Sequence, residues 1–153
     1  MLGPQPGERI LDAGCGIGGV TARLASSGAT VTGLELVGAL LEQARLRHPH
    51  VEFIEGDLLD FTPAQPFDAV FAHAVLPWVH PPERAARRIR DCLRPGGRLA
   101  ATLGGANETA RQLDGYYLPK PREYRKLLER AGFAEVEVEP EGDVLFVFAL
   151  RRG

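Results

Sequence analysis

The 153-residue chain is poor in cysteine, in lysine and in long apolar runs, and each shortage excludes something. Two cysteines, Cys15 and Cys92, allow at most one bridge, so the fold cannot rest on a disulfide framework, and a reducing, cytoplasmic setting is expected. No apolar run approaches the roughly 18 residues that a membrane helix needs. The opening MLGPQPGERI has neither the basic start nor the apolar stretch of a secretory leader, so no membrane partner is expected. Lysine supplies only Lys120 and Lys126; the other basic residues are arginine, and 18 Lys+Arg against 20 Asp+Glu leave a net charge of -2. That balance offers no general attraction to nucleic acid. The four histidines, His48, His50, His73 and His80, are not grouped with carboxylates at ligand spacing, so no metal site is expected.

What is present is an alternation of short apolar runs with stretches of helical period, the pattern of a parallel sheet with crossover helices. Strands are expected over Arg9–Ala13, Thr30–Glu35, Val51–Ile54, Asp68–Ala74 and Arg98–Leu103, the last entered through a Pro95-Gly96-Gly97 turn. Between them, helices are expected from about Gly18 to Ser26, on the face Val37, Leu40, Leu41 and Ala44, and after Pro81-Pro82 on the face Ala85, Ile89, Cys92 and Leu93. Tyr124, Leu127, Leu128 and Ala131 repeat the helical spacing, with Gly132 suited to end it. Val136–Glu139 and Val144–Leu150 are joined by too few residues for a parallel crossover, so they must form an antiparallel hairpin. The length suits one α/β domain spanning residues 1–153.

DAGCGIGG, Asp12 to Gly19, lies between an expected strand and an expected helix. Its glycines let the backbone approach a ligand, and the following helix presents free N–H groups to an anionic group. Gly14, Gly16 and Gly19 also satisfy G-x-G-x-x-G, so glycines alone do not separate a nicotinamide dinucleotide from another adenosine cofactor. Carboxylates end three successive strands: Asp12, Glu35 and Asp57. All three fall at the carboxyl edge of the sheet, where open α/β folds bind ligands. Glu35 follows Gly14 at the spacing of an acid that accepts from both ribose hydroxyls, Asp57 suits an adenine amino group, and Asp12 suits a cationic amino group or the ordering of the loop.

The order LDAGCGIGG, TGLE, GDL at Gly56–Leu58, FDAV at Phe67–Val70 and LRPGGRL at Leu93–Leu99 resembles the class I S-adenosylmethionine-dependent methyltransferases. The resemblance implies a Rossmann-like seven-stranded sheet in order 3-2-1-4-5-7-6 with strand 7 antiparallel and helices on both faces. It implies S-adenosylmethionine as cofactor, released as S-adenosylhomocysteine. Asp12, Gly14, Cys15, Gly16, Glu35, Leu36, Asp57, Leu58 and His73 would then form the cofactor site, with Gly14 and Gly16 against the methionyl part, Glu35 on the ribose, and Asp57 and the Leu58 backbone on adenine. Such enzymes usually carry a helix before the first strand, and only eight residues precede Arg9. The expectation is a domain without that cover, or a homodimer in which a neighbour supplies it.

FAHAVLPWV (Phe71–Val79) and YYLPKPREYRKLLERAGF (Tyr116–Phe133) resemble the small-molecule, trans-aconitate methyltransferase-like group, although His73 replaces its common Asn and Pro77 its common His. The acceptor is expected to be a small carboxylate, hydroxyl or amine, methylated mainly by positioning. His73 is the candidate base for an acceptor that carries a proton. Trp78, Tyr116 and Tyr117 are candidate pocket walls. A rival reading takes Tyr116-x-x-x-Lys120 as the helical pair of a nicotinamide-dependent oxidoreductase, against which Pro119 and Pro121 stand. A second rival is a non-catalytic binding module that keeps the methyltransferase fold.

Overall fold

The short β-branched and leucine-rich runs pair in the interior because their side chains are apolar on both faces, as buried parallel strands require. The computed structural model describes residues 2–105 and 108–153, and its seven strands form one sheet in the order β3-β2-β1-β4-β5-β7-β6. The strands are β1 (Arg9–Ala13), β2 (Thr30–Glu35), β3 (Glu52–Glu55), β4 (Phe67–His73), β5 (Leu93–Gly104), β6 (Phe133–Glu141) and β7 (Val144–Arg151). The helices are α1 (Gly19–Ala25), α2 (Gly38–Arg47), α3 (Pro82–Cys92), α4 (Glu108–Arg111) and α5 (Pro121–Ala131), with a single 3-10 turn over Leu76–Trp78. β1 to β5 pair in parallel, whereas β7 runs antiparallel to both β5 and β6. The expected strand order and the reversed last strand are both present.

β3 and β4 are each offset by one residue from the sequence expectation and β7 runs one residue further, and three other differences have a physical reason. β5 begins at Leu93, which pairs with Phe67, and the next pair is Ala69 with Arg98. Pro95, Gly96 and Gly97 therefore bulge out of a strand already begun, instead of turning the chain into it. β6 likewise begins at Phe133; a bulge between Ala134 and Glu137 is made by Glu135, whose φ of 49° is left-handed. Val37 caps α2 and is exposed, so only Leu41 and Ala44 of the expected face are buried. Gly132 ends α5 at φ 102°, a conformation open to glycine without strain.

Alternation along the strands divides the core. Leu11, Val70, Ala72, Leu99, Ala101 and Val147 face α3 and α5, which contribute Ala86, Ile89, Cys92, Tyr124 and Leu128. On the other face Ile10, Val31, Ala69 and Ala100 meet Leu24 and Ala25 of α1, while Leu41 and Ala44 of α2 pack on Phe53 and Cys15. Arg98 fastens the N-terminal segment to this second face by a two-pronged pair with Glu8, 2.7 Å on each arm, and by donating to the Leu2 and Gly3 carbonyls. Cys15 and Cys92 are both buried and unbridged. No described helix is long and apolar enough to cross a membrane.

Candidate active site

β1, β2 and β3 end side by side, and their pairing decides where the glycine loop goes. The Gly14 and Cys15 N–H groups donate to the Leu34 carbonyl at 2.7 and 3.0 Å, which turns the loop toward the end of β2. There the Glu35 carboxylate accepts from the Gly16 N–H at 3.0 Å and from the Val37 N–H at 3.2 Å, tying the loop to the start of α2. The Gly56 N–H donates to the Glu35 carbonyl at 3.0 Å, and Asp57 accepts from the Leu59 N–H at 2.9 Å. One network thus aligns three strand ends.

A cavity of about 340 Å3 opens above these ends. Glu35 and Asp57 are its carboxylates, Gly14 and Gly56 its backbone floor, and Leu34, Leu36, Val37, Leu58, Val75, Trp78 and Val79 its apolar walls. A Cβ added at Gly14, where φ is 79°, would lie 2.6 Å from the Val75 side chain, so only glycine leaves the floor and wall this close. Apolar walls with few fixed acceptors suit a flat heterocycle carrying a sugar. The donor set therefore fits an adenosine: acceptors for ribose hydroxyls and an amino group, and no cation for a 2′-phosphate on the cavity wall.

Five of the expected cofactor residues, Gly14, Glu35, Leu36, Asp57 and Leu58, line that cavity together with Trp78. Gly16 joins through its bond to Glu35. Asp12 lies beneath the loop, 2% exposed, where it accepts from the Thr21 hydroxyl at 2.7 Å and so orders the start of α1. Burial pushes its carboxyl up to about 6, with Thr21 pulling the other way and the Glu35 charge adding to the rise. Cys15 points away from the cavity into the cluster with Leu41, Ala44 and Phe53. Burial, then the nearby Asp12 and Glu35 charges, push its thiol up to about 12, which leaves it inert as a nucleophile at neutral pH.

His73 does not line that cavity. Alternation along β4 turns it to the α1 side, where it shares a groove with Arg23, Val20, Leu24, Pro4 and Phe71. Its Nδ1 is 2.7 Å from Thr102 Oγ1 and its ring stacks beside Phe71. Tyr116 packs edge-on to Trp78 at 5.0 Å, with its hydroxyl buried and without a partner, while the Tyr117 N–H donates to the Pro77 carbonyl at 2.9 Å. Tyr117 itself lines a separate cleft with residues of α3 and α5. Tyr116 and Lys120 both precede α5, so they do not form the helical pair of the oxidoreductase reading. Val75 and Val79 were not singled out from sequence; they lie in an aperiodic loop, and only the demand for glycine at position 14 hints at a close neighbour.

The profile of the family described as "Methyltransferase domain" matches residues 11–101. Trans-aconitate 2-methyltransferase of Rhizobium rhizogenes is 37% identical over 98 residues, covering 63% of this chain and 38% of that protein. The chain thus spans about two fifths of the length of the curated relatives it matches. Phosphoethanolamine N-methyltransferase 2 of Haemonchus contortus, solved with S-adenosyl-L-methionine, superposes with a TM-score of 0.89 over 99% of this chain and 50% of its own, at 21% identity. An S-adenosylmethionine-dependent methyltransferase of Mesorhizobium loti gives 0.82 over 95% and 92%, at 24% identity.

Proposed function

Since the chain belongs to the methyltransferase domain family and has the class I methyltransferase fold, we propose that it binds S-adenosylmethionine and directs its methyl group to a small acceptor. The observation that carries this reading is the pairing of Glu35 and Asp57 across one apolar cavity floored by Gly14. Glu35 accepts from the ribose hydroxyls, exchanging part of its bonding to the Gly16 and Val37 N–H groups. Asp57 accepts from the adenine amino group, with Leu36, Leu58 and Val75 against the ring faces. The unsubstituted backbones of Gly14 and Gly16 admit the methionyl part, and Asp12 holds α1 in place beneath it.

The cofactor, when bound, supplies a methyl group already made electrophilic by its sulfonium, so the chain's task is positioning and the exclusion of water. His73 holds the acceptor at the end of β4. In the tautomer with Nδ1–H donating to Thr102 Oγ1, Nε2 carries the lone pair and takes the proton of a hydroxyl or amine acceptor. A carboxylate acceptor is already deprotonated at neutral pH and needs no base. The likeness to trans-aconitate 2-methyltransferases supports a small carboxylate as the first acceptor class to test. No surplus of positive charge supports nucleic acid in its place.

The test is a screen of small carboxylic acids, alcohols and amines for methyl transfer from labelled S-adenosylmethionine. Label in a small product, lost in Glu35→Ala, agrees with the proposal. Tight nicotinamide dinucleotide binding without S-adenosylhomocysteine binding contradicts it.

A further inference from the structure

On the α1 side of the sheet lies a groove of about 470 Å3, separate from the cavity that Glu35 and Asp57 line. Alternation along β4 turns Phe71 and His73 into it, with their ring planes 6° apart and their centres 6.4 Å apart. α1 leaves the glycine loop at the carboxyl edge and runs back over Ile10 and Ala69. Val20 therefore stands near that edge, and Arg23 and Leu24 stand one helical turn, about 5 Å, further in. Pro4 adds a wall from the N-terminal segment, which Arg98 fastens through the Leu2 and Gly3 carbonyls and the Glu8 carboxylate. The groove is thus apolar along most of its length, with one polar ring at the edge and one guanidinium inside. No carboxylate lines it, and among the described residues Arg23 has no ion-pair partner.

We propose that this groove takes the acceptor as an apolar hydroxy acid, with its carboxylate on Arg23 and its hydroxyl on His73 Nε2, and that the hydroxyl receives the methyl group; this rests on the methyltransferase reading above. A monocarboxylate matches the single arginine, whereas a tricarboxylate would set two further charges against Val20, Leu24 and Phe71. In the tautomer that donates Nδ1–H to Thr102, Nε2 offers only a lone pair, which attracts a hydroxyl and repels a carboxylate. An ammonium in the same place would add a cation to a groove that already carries one. An aromatic spacer suits the walls, since it can lie against Phe71 and pack on Val20 and Leu24. The direction follows from the fold: His73 and Val20 stand beside the loop that admits the methionyl part, and Arg23 stands a turn away from it. As the hydroxyl oxygen bonds to the methyl carbon, the carbon–sulfur bond of the sulfonium breaks, its electron pair stays on sulfur as a neutral thioether, and the hydroxyl proton passes to His73 Nε2. The product is a methyl ether whose carboxylate is unchanged.

The probe is para-hydroxyphenylacetate, titrated into the native chain with and without S-adenosylhomocysteine while NMR follows the His73 ring protons, assigned by their loss in His73→Gln. The acid shifts them saturably. Its amide, which keeps the ring and hydroxyl and loses the charge, binds at least ~10-fold more weakly, and so does the acid to Arg23→Gln. Arg23→Lys recovers part of the affinity. S-adenosylhomocysteine binds Arg23→Gln and the native chain equally, which separates a lost contact from a lost fold. With labelled S-adenosylmethionine, the label enters a base-stable aryl ether. An unmoved His73, an amide that binds as tightly as the acid, an unweakened Arg23→Gln, or label in a base-labile ester overturns the proposal. Acid binding that depends on Arg23 in a chain that takes up no S-adenosylhomocysteine supports the acid site and overturns the methyltransferase reading instead.

Discussion

Gly14 and Val75 stand so close that a single added methyl group at Gly14 would come within 2.6 Å of the valine side chain. The contact joins the loop after β1 to the loop after β4, and both residues line the cavity. Gly14→Ala forces both a clash and a left-handed alanine at φ 79°, a cost of about 1–3 kcal/mol. Urea denaturation should register that loss, and S-adenosylhomocysteine affinity should fall at least ~10-fold. Gly14→Ala combined with Val75→Ala relieves the clash alone and recovers part of the affinity.

Asp12 makes stability depend on pH in an unusual direction for a carboxylate. Its folded value, about 6, lies above the ordinary 3.8, so between these values the folded state holds a proton that the unfolded chain releases. The group therefore favours folding below about pH 4, and this contribution is lost as pH rises through about 6. Asp12→Asn keeps an acceptor for Thr21 and removes the titration. Urea unfolding at pH 7 and pH 4.5 should show the difference, native chain minus Asp12→Asn, becoming more favourable to the native chain at the lower pH. An unchanged difference contradicts the assignment.

Arg98 and Glu8 should behave as a geometric pair and not as two point charges. Arg98 beside Glu8 holds the Glu8 carboxyl below its usual range, and the same guanidinium reaches the Leu2 and Gly3 carbonyls. A lysine cannot serve four acceptors in one plane. Arg98→Lys should cost about 1–2 kcal/mol of stability. Amide exchange should locate the loss in residues 2–8.

Trp78 is the only tryptophan and lines the cavity while 41% exposed, so its emission reports directly on occupancy. Adding S-adenosylhomocysteine should shift the emission to shorter wavelength as the ring is covered. Trp78→Phe should abolish the signal and keep the affinity, measured by calorimetry, within about threefold, since one aromatic wall replaces another.

Much of this was legible in the residues because each signal was carried by a local rule. Apolar runs marked the strands, the short connection at residues 140–143 required the closing hairpin, and Glu35 and Asp57 could be placed because Glu35 ends β2 and Asp57 follows the end of β3, at the edge where these parallel strands finish side by side. The boundary errors arose where pairing overrides local turn chemistry. Pro95-Gly96-Gly97 has the composition of a turn, but Leu93 is already paired with Phe67 before it. His73 was expected at the cofactor, and the period of two along β4 explains its actual place: Val70 and Ala72 face α3 and α5, so Phe71 and His73 face the other way. Val75 carries no periodic signal, and its role emerges only when two loops meet in space.

Isothermal titration of S-adenosylhomocysteine into the native chain and into Glu35→Ala tests the central claim most directly. Glu35 links the glycine loop, the start of α2 and the proposed ribose site. The account predicts saturable one-to-one binding to the native chain and affinity at least ~10-fold weaker in the variant, the loss of charge-assisted bonds to two hydroxyls. Equal affinity in both proteins, or no binding to the native chain, would contradict it.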